Sequence, residues 1–133
     1  MQPKSAIPTI LICDDEPLVV TALARAFRRA GVDSIPVTAS EDLLPAALRC
    51  KPDLVLLDLK QRGADGRTLL ARMRNDPRLR DTKVVIITGI ADERVQHLCI
   101  ALGADGYEVK PFDDEFIRRA VKLAQDEVIH RAA

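Results

Sequence analysis

The sequence of 133 residues predicts one α/β domain built on a doubly wound, five-stranded parallel sheet. Three observations carry that expectation. Short β-rich apolar runs alternate with longer segments of helical period. Three of those runs are almost continuous in apolar residues, as strands covered on both faces are. Such alternation, with right-handed crossovers, places helices on both sides of one sheet.

The runs are Thr9–Cys13, Ser34–Val37, Leu54–Asp58, Lys83–Thr88 and Gly106–Val109. Between the first two, Leu18, Val19, Ala22, Leu23, Ala26 and Phe27 make one helical stripe that stops at Gly31, a common residue just past a helix end. The second helical segment is the least regular: Ser40 reads as its N-cap, and Pro45 one turn later predicts a late or irregular start. The third runs from Gly66 to Asn75 with Leu69, Leu70 and Met73 inward, and Pro77 closes it. The fourth carries Val95, Leu98, Cys99 and Leu102 and stops at Gly103. The fifth carries Phe116, Ile117, Ala120, Val121, Ala124 and Val128. One domain is expected over 1–133, with its core over about 8–130 and no output domain following.

Composition narrows the function classes. Hydrophobic residues make up 47% and charged ones 30%, which fits a globular chain rather than a disordered one. Twenty Lys and Arg balance twenty Asp and Glu, so the basic excess of a nucleic-acid binder is absent. No apolar run approaches the ~20 residues that span a bilayer, and the first residues make a poor signal peptide. A cytoplasmic protein without membrane or direct nucleic-acid contact is expected. Cys13, Cys50 and Cys99 are too few and too far apart for a disulfide framework or a zinc site, and each reads as a small core residue. The arginines from Arg62 to Arg80 alternate with Asp65, Asp76 and Asp81 and read as a solvated face. His97 and His130 lie in helical segments away from the acids and look like neither bases nor ligands.

In a parallel sheet of this kind, ligands bind at the carboxyl ends of the strands. Strand one ends in Asp14-Asp15-Glu16, strand three in Asp58, strand four in Thr88-Gly89 and strand five in Lys110-Pro111. Clustered carboxylates raise one another's pKa unless a cation sits among them. A hard divalent ion, Mg²⁺ above all, suits carboxylates together with phosphate oxygens and water. A carboxylate can act as nucleophile and become an aspartyl phosphate. The transferred group needs positive charge and donors on its oxygens, which Mg²⁺, Lys110 and the Thr88 hydroxyl can supply. Gly89 leaves room for the group to approach the backbone. Glu16 reads as a first-turn helix residue and Asp65 as the cap of the third helix.

With Asp14-Asp15, Asp58 in DLVLLDL, Asp65-Gly66, Thr88-Gly89, Tyr107 and Lys110-Pro111 in order, the sequence resembles the response-regulator receiver family over nearly its whole length. The resemblance implies a (βα)₅ flavodoxin-like fold of strand order 2-1-3-4-5, the order known for that class. It implies Asp58 as phosphoacceptor. Asp15 and Asp58 would bind Mg²⁺ directly, with the backbone carbonyl of Lys60 as third protein ligand and Asp14 acting mainly through water. Thr88 and Lys110 would contact phosphoryl oxygens, while Thr88 and the aromatic Tyr107 would form the switch. It also implies a cis peptide before Pro111. The donor would be a sensor histidine kinase or a histidine phosphotransfer protein, and output would pass to a downstream protein target. A phosphorylation-dependent dimer through the fourth and fifth helices stays open.

The chain departs from the family at the loop after Asp58. The usual Met-Pro pair is Gln61-Arg62 here, which predicts a more mobile loop. Lys60 and Ile90, two residues past Asp58 and Thr88, offer no acid or amide to orient an attacking water, which predicts a long-lived aspartyl phosphate. Three other readings stay open: a docking module that acts without phosphorylation, a receiver fragment of a larger regulator or hybrid kinase, and a Mg²⁺-dependent phosphohydrolase. Lys60 stands where such hydrolases carry a second acid, so a self-phosphorylating receiver is expected rather than a turnover enzyme.

Overall fold

Strands without a polar face must be covered from both sides, and the chain order supplies the cover. The computed structural model of the protein describes residues 7–126. In order, these are β1 (Ile10–Cys13), α1 (Pro17–Arg29), β2 (Ser34–Val37), a 3₁₀ turn at Ser40–Asp42 leading into α2 (Leu43–Cys50), and β3 (Leu54–Asp58). A two-residue antiparallel ladder, Lys60–Gln61 against Ala64–Asp65, precedes α3 (Gly66–Asn75), β4 (Lys83–Thr88), α4 (Glu93–Ala101), β5 (Gly106–Val109) and α5 (Asp114–Gln125). The sheet is parallel throughout in the order β2-β1-β3-β4-β5, as expected. Val128, His130 and the stretch 127–133 lie outside the described residues.

Successive side chains of a strand point to opposite faces, and β1, β3 and β4 are buried on both. Ile10, Ile12, Leu54, Leu56, Val85 and Ile87 pack with Val20, Leu23 and Phe27 of α1 and Phe116, Ile117, Ala120 and Ala124 of α5. Leu11, Cys13, Val55, Leu57, Val84 and Ile86 pack on the other side with α2, α3 and Cys99 of α4. Asp65, Asp92 and Asp113 cap α3, α4 and α5, each carboxylate accepting a first-turn backbone N–H. Gly31, at φ +85°, turns the chain after α1.

Several side chains depart from the expected stripes. The buried face of α1 is Val20, Leu23 and Phe27, while Leu18 is 85% exposed and Ala22 is also exposed. The helix is therefore turned so that these two face outward beside α5. On α4 only Cys99 is buried, and Leu98 is 42% exposed. Cys50, at the end of α2, is only half-buried. Ser40 caps nothing: its hydroxyl donates to the Arg62 carbonyl at 3.2 Å. Pro45 falls in the first turn of α2, where an N–H has no partner within the helix, so the helix runs on through it.

Two cations are built into the fold, one of them, Arg74, from the stretch read as a solvated face. Arg74 donates to the carbonyls of Gly103 (2.9 Å), Arg80 (3.1 Å) and Thr82 (2.6 Å), and pairs with Asp105 at 3.2 Å. Lys83 is 1% exposed and its ammonium donates to the carbonyls of Leu123 and Asp126, which end α5. Removing one member of a buried polar network leaves the others unpaired. Arg74→Ala is expected to lower unfolding stability by about 2–4 kcal/mol in urea titrations, whereas Arg78→Ala, at an exposed pair, is expected to change it by less than about 1 kcal/mol.

Candidate functional site

Register brings the chemistry to one edge. Cys13 lies opposite Leu57, Asp58 opposite Ile87, and Thr88 opposite Val109. The residue that ends or follows each of four strands therefore meets the others at the carboxyl edge of the sheet. Asp14 and Asp58 are buried there, Asp15 is half-buried, and Thr88 is 1% exposed.

Lys110 lies at the centre of this group. Its ammonium binds Asp14 Oδ2 at 2.9 Å and lies 3.5 Å from Asp58 Oδ1 and 3.7 Å from Glu16 Oε1. The other oxygen of Asp14 accepts the Glu16 backbone N–H at 2.9 Å. Glu16 therefore stands at the rim of the site as well as at the entry to α1. The Lys110–Pro111 peptide is cis, as the resemblance implied, and the Lys110 backbone N–H donates to the Thr88 carbonyl at 2.7 Å.

Charge is unbalanced. One ammonium faces several carboxylates. Burial, and next the negative charge of Asp14, push the Asp58 carboxyl up to about 6 against the pull of Lys110. Burial works to lower the Lys110 ammonium, but its bond to Asp14 and the charges of Asp58, Asp14 and Glu16 outweigh that and hold it above its ordinary value. Burial also raises the Cys13 thiol to about 11, even with a contact to Gln61 that favours the thiolate. Cys13 is thus a neutral core residue rather than a reactive sulfur.

The same three acids fit a hard cation. Asp14, Asp15 and Asp58 each offer an oxygen within 4.8 Å of the others, so one ion could touch all three. All donors are oxygen, which suits Mg²⁺ rather than a softer metal. Lys60 opens the short ladder two residues past Asp58.

The expected mobile loop is instead a hairpin fastened to the site. Gln61 Nε2 donates to the Asp58 carbonyl at 3.0 Å and makes a longer contact, 3.5 Å, with the Cys13 carbonyl. The Arg62 backbone N–H donates to Asp15 Oδ2 at 2.7 Å. The turn at Gly63 has φ +80°, and the Gly66 N–H donates to the Leu59 carbonyl at 2.8 Å. A Cβ on Gly66 would meet the Asp58 carbonyl oxygen at 2.6 Å, so glycine is needed there for close approach. A Cβ on Gly89 would meet no atom within 4 Å, which leaves open space beside Thr88. Gln61, the Arg62 N–H and the Gly66 contact are absent from the sequence-derived set. The one clue in the sequence was the missing proline, since only a non-proline residue at 62 has an N–H to give.

Thr88 and Tyr107 are joined through one residue. The Thr88 hydroxyl accepts the Ile90 N–H at 3.1 Å, and the Tyr107 hydroxyl donates to the Ile90 carbonyl at 2.7 Å. Tyr107, on the edge strand β5, is half-buried against the core.

The chain as a whole is similar to known proteins. The family described as "Response regulator receiver domain" matches residues 10–122. The chain is 34% identical over 115 residues to the transcriptional regulatory protein BaeR of Escherichia coli, covering 86% of this chain and 47% of BaeR. It is 35% identical over 114 residues to sporulation initiation phosphotransferase F of Bacillus subtilis, covering 85% of this chain and 90% of that protein. The BeF₃-activated N-terminal receiver domain of Klebsiella pneumoniae RstA superposes with a TM-score of 0.81 at 25% identity, over 90% of this chain and 99% of the other. The chain spans about half the length of BaeR and of the PhoP and PhoB regulators it also matches.

The raised Asp58 pKa sets a pH dependence. The folded carboxyl, near 6, holds its proton more tightly than the ordinary 3.8. Its ionisation therefore costs stability as pH rises between those values, and the cost is complete above them. In metal-free protein at pH 7.5, Asp58→Asn is expected to raise unfolding stability by about 1–3 kcal/mol. That gain should vanish below pH ~4 and shrink when Mg²⁺ is saturating, as thermal or urea unfolding across pH would read directly.

Proposed function

We propose that this chain, which belongs to the response regulator receiver domain family, accepts a phosphoryl group on Asp58 and uses it to switch a protein-binding face. The observation that carries the reading is the four-strand convergence of Asp14, Asp15, Asp58, Thr88 and Lys110 at one sheet edge, with Asp58 buried 3.5 Å from the Lys110 ammonium. With its pKa at about 6, the Asp58 carboxyl is largely ionised at neutral pH and available as a nucleophile. Its oxygen forms the bond to phosphorus as the bond from phosphorus to the donor's histidine nitrogen breaks.

Lys110 and the Thr88 hydroxyl are assigned to the phosphoryl oxygens. Asp15, Asp58 and the Lys60 carbonyl would hold Mg²⁺, with Asp14 reaching it through water. The ion would supply positive charge for the carboxylates and for the incoming group. The open space beside Gly89 supports a place for that group. Thr88 moving toward a phosphoryl oxygen would pull on Ile90 and so on Tyr107, because both bind the Ile90 backbone.

The donor fits a sensor histidine kinase or a histidine phosphotransfer protein. Similarity to a protein named sporulation initiation phosphotransferase F supports the phosphorelay reading. Output would go to a partner that binds the phosphorylated state more tightly, since equal affinity for both states transmits nothing. The family match over 10–122 supports a receiver unit across those residues, and no helix among the described residues is long and apolar enough to cross a membrane.

Two measurements test this. Intact mass after incubation with acetyl phosphate and Mg²⁺ should rise by one phosphoryl group in the wild type and not in Asp58→Ala. No gain in folded wild type would overturn phosphoacceptance and favour a docking module. The aspartyl phosphate should also be long-lived, because Ile90 and Lys60 place no acid or amide near the attacking water. A lifetime of only a few seconds, followed by loss of that mass without a phosphatase, would sink the second claim.

A further inference from the structure

We infer that the hairpin at Lys60–Asp65 is a positioning device for the cation site, acting through the backbone N–H of Arg62 on the carboxylate of Asp15. The inference rests on the Mg²⁺ reading above.

Three groups fasten the hairpin. Arg62 N–H donates to Asp15 Oδ2 at 2.7 Å. Gln61 Nε2 donates to the Asp58 carbonyl at 3.0 Å. Ser40 Oγ donates to the Arg62 carbonyl at 3.2 Å, tying the same peptide unit to the β2–α2 connection. The ladder Lys60↔Asp65 and Gln61↔Ala64 closes the hairpin on itself. Asp65 in turn caps α3, so the hairpin links the Asp15 carboxylate to the start of that helix.

The physical consequence is orientation. Asp15 is half-buried and sits at the mouth of the site, held by the Arg62 N–H while Lys110 binds Asp14 instead. A carboxylate free to rotate presents either oxygen to a cation and loses rotational freedom when it binds. With one oxygen held by Arg62 N–H, the other stays available, and part of that ordering is complete before the ion arrives. Partners beyond the first ligands tune metal affinity in this way. Arg62 acts by its backbone alone. Its side chain is exposed, so the identity of that side chain does not matter unless it is proline.

The coupling runs both ways. If the pinned hairpin favours the cation, the cation must favour the pinned hairpin by the same factor. That gives a readout independent of phosphorylation.

The experiment compares wild type, Arg62→Ala, Arg62→Pro and Gln61→Met by Mg²⁺ titration calorimetry, with folding checked by circular dichroism. Amide hydrogen exchange at residue 62 of the wild type is followed with and without Mg²⁺. Arg62→Ala keeps the N–H and should bind Mg²⁺ within about twofold of wild type. Arg62→Pro removes the N–H and should weaken binding by about ten-fold, near the lower end for lost outer partners. Gln61→Met should weaken it less. The Arg62 amide should be protected in wild type and more so with Mg²⁺. Undiminished binding by folded Arg62→Pro would overturn the inference. So would equal losses in Arg62→Ala and Arg62→Pro, or an Arg62 amide whose exchange ignores Mg²⁺, which decides the matter even if Arg62→Pro does not fold. Wild type that takes up no Mg²⁺ at all would overturn the cation reading itself, and this inference with it.

Discussion

Carboxylates held close together and out of water repel one another, and the carboxyl edge of this sheet is organised around that repulsion. Asp14 is wholly buried and Asp58 nearly so, with Asp15 beside them and the oxygens of all three within 4.8 Å. Lys110 offsets part of the charge by binding Asp14 and approaching Asp58. Burial first, and then the charge of Asp14, raise the proton affinity of Asp58 all the same. A site in this state has unused attraction for positive charge, and bringing a cation or a phosphoryl group with its counter-ion relieves a strain already present.

The rest of the fold holds these groups against their repulsion. Parallel strands buried on both faces cannot slide or splay without exposing apolar side chains, so β1, β3 and β4 fix where their terminal residues sit. Gly66 allows α3 to start directly against the Asp58 backbone. Far from the acids, the Lys83 ammonium ties the start of β4 to the last carbonyls of α5, while the other end of β4 carries Thr88. One strand thus connects the Thr88 hydroxyl to the end of a helix on the opposite rim.

Most of this architecture was legible in the sequence, for identifiable reasons. Continuous apolar runs and Gly31 or Pro77 at element ends are local signals, and the strands and α3 fell where those signals stood. Helix faces were harder. Leu18 and Leu98 satisfy a helical period as well as Val20 and Cys99 do, and only the rotation of each helix on the sheet decides which is buried. Tertiary hydrogen bonds left no local mark at all: nothing near Ser40 in sequence indicates that its hydroxyl serves Arg62 rather than a helix, and nothing near Arg74 or Lys83 says that those cations are enclosed. The acids and Lys110 were found because strand ends converge by rule in such sheets. The Gln61–Arg62 hairpin was misjudged because a missing motif reads as lost order, whereas here the replacement brings new bonds.

That replacement has an evolutionary side. Because Arg62 reaches Asp15 through its main chain, every residue except proline could make the same contact. The side chain, which points to solvent, is therefore released from any duty at the acids. A position beside the clustered acids can then drift, acquire a new charge or take on a new recognition partner without disturbing them. Lineages carrying this hairpin would have a spot for changing whom they talk to while keeping the chemistry they talk with.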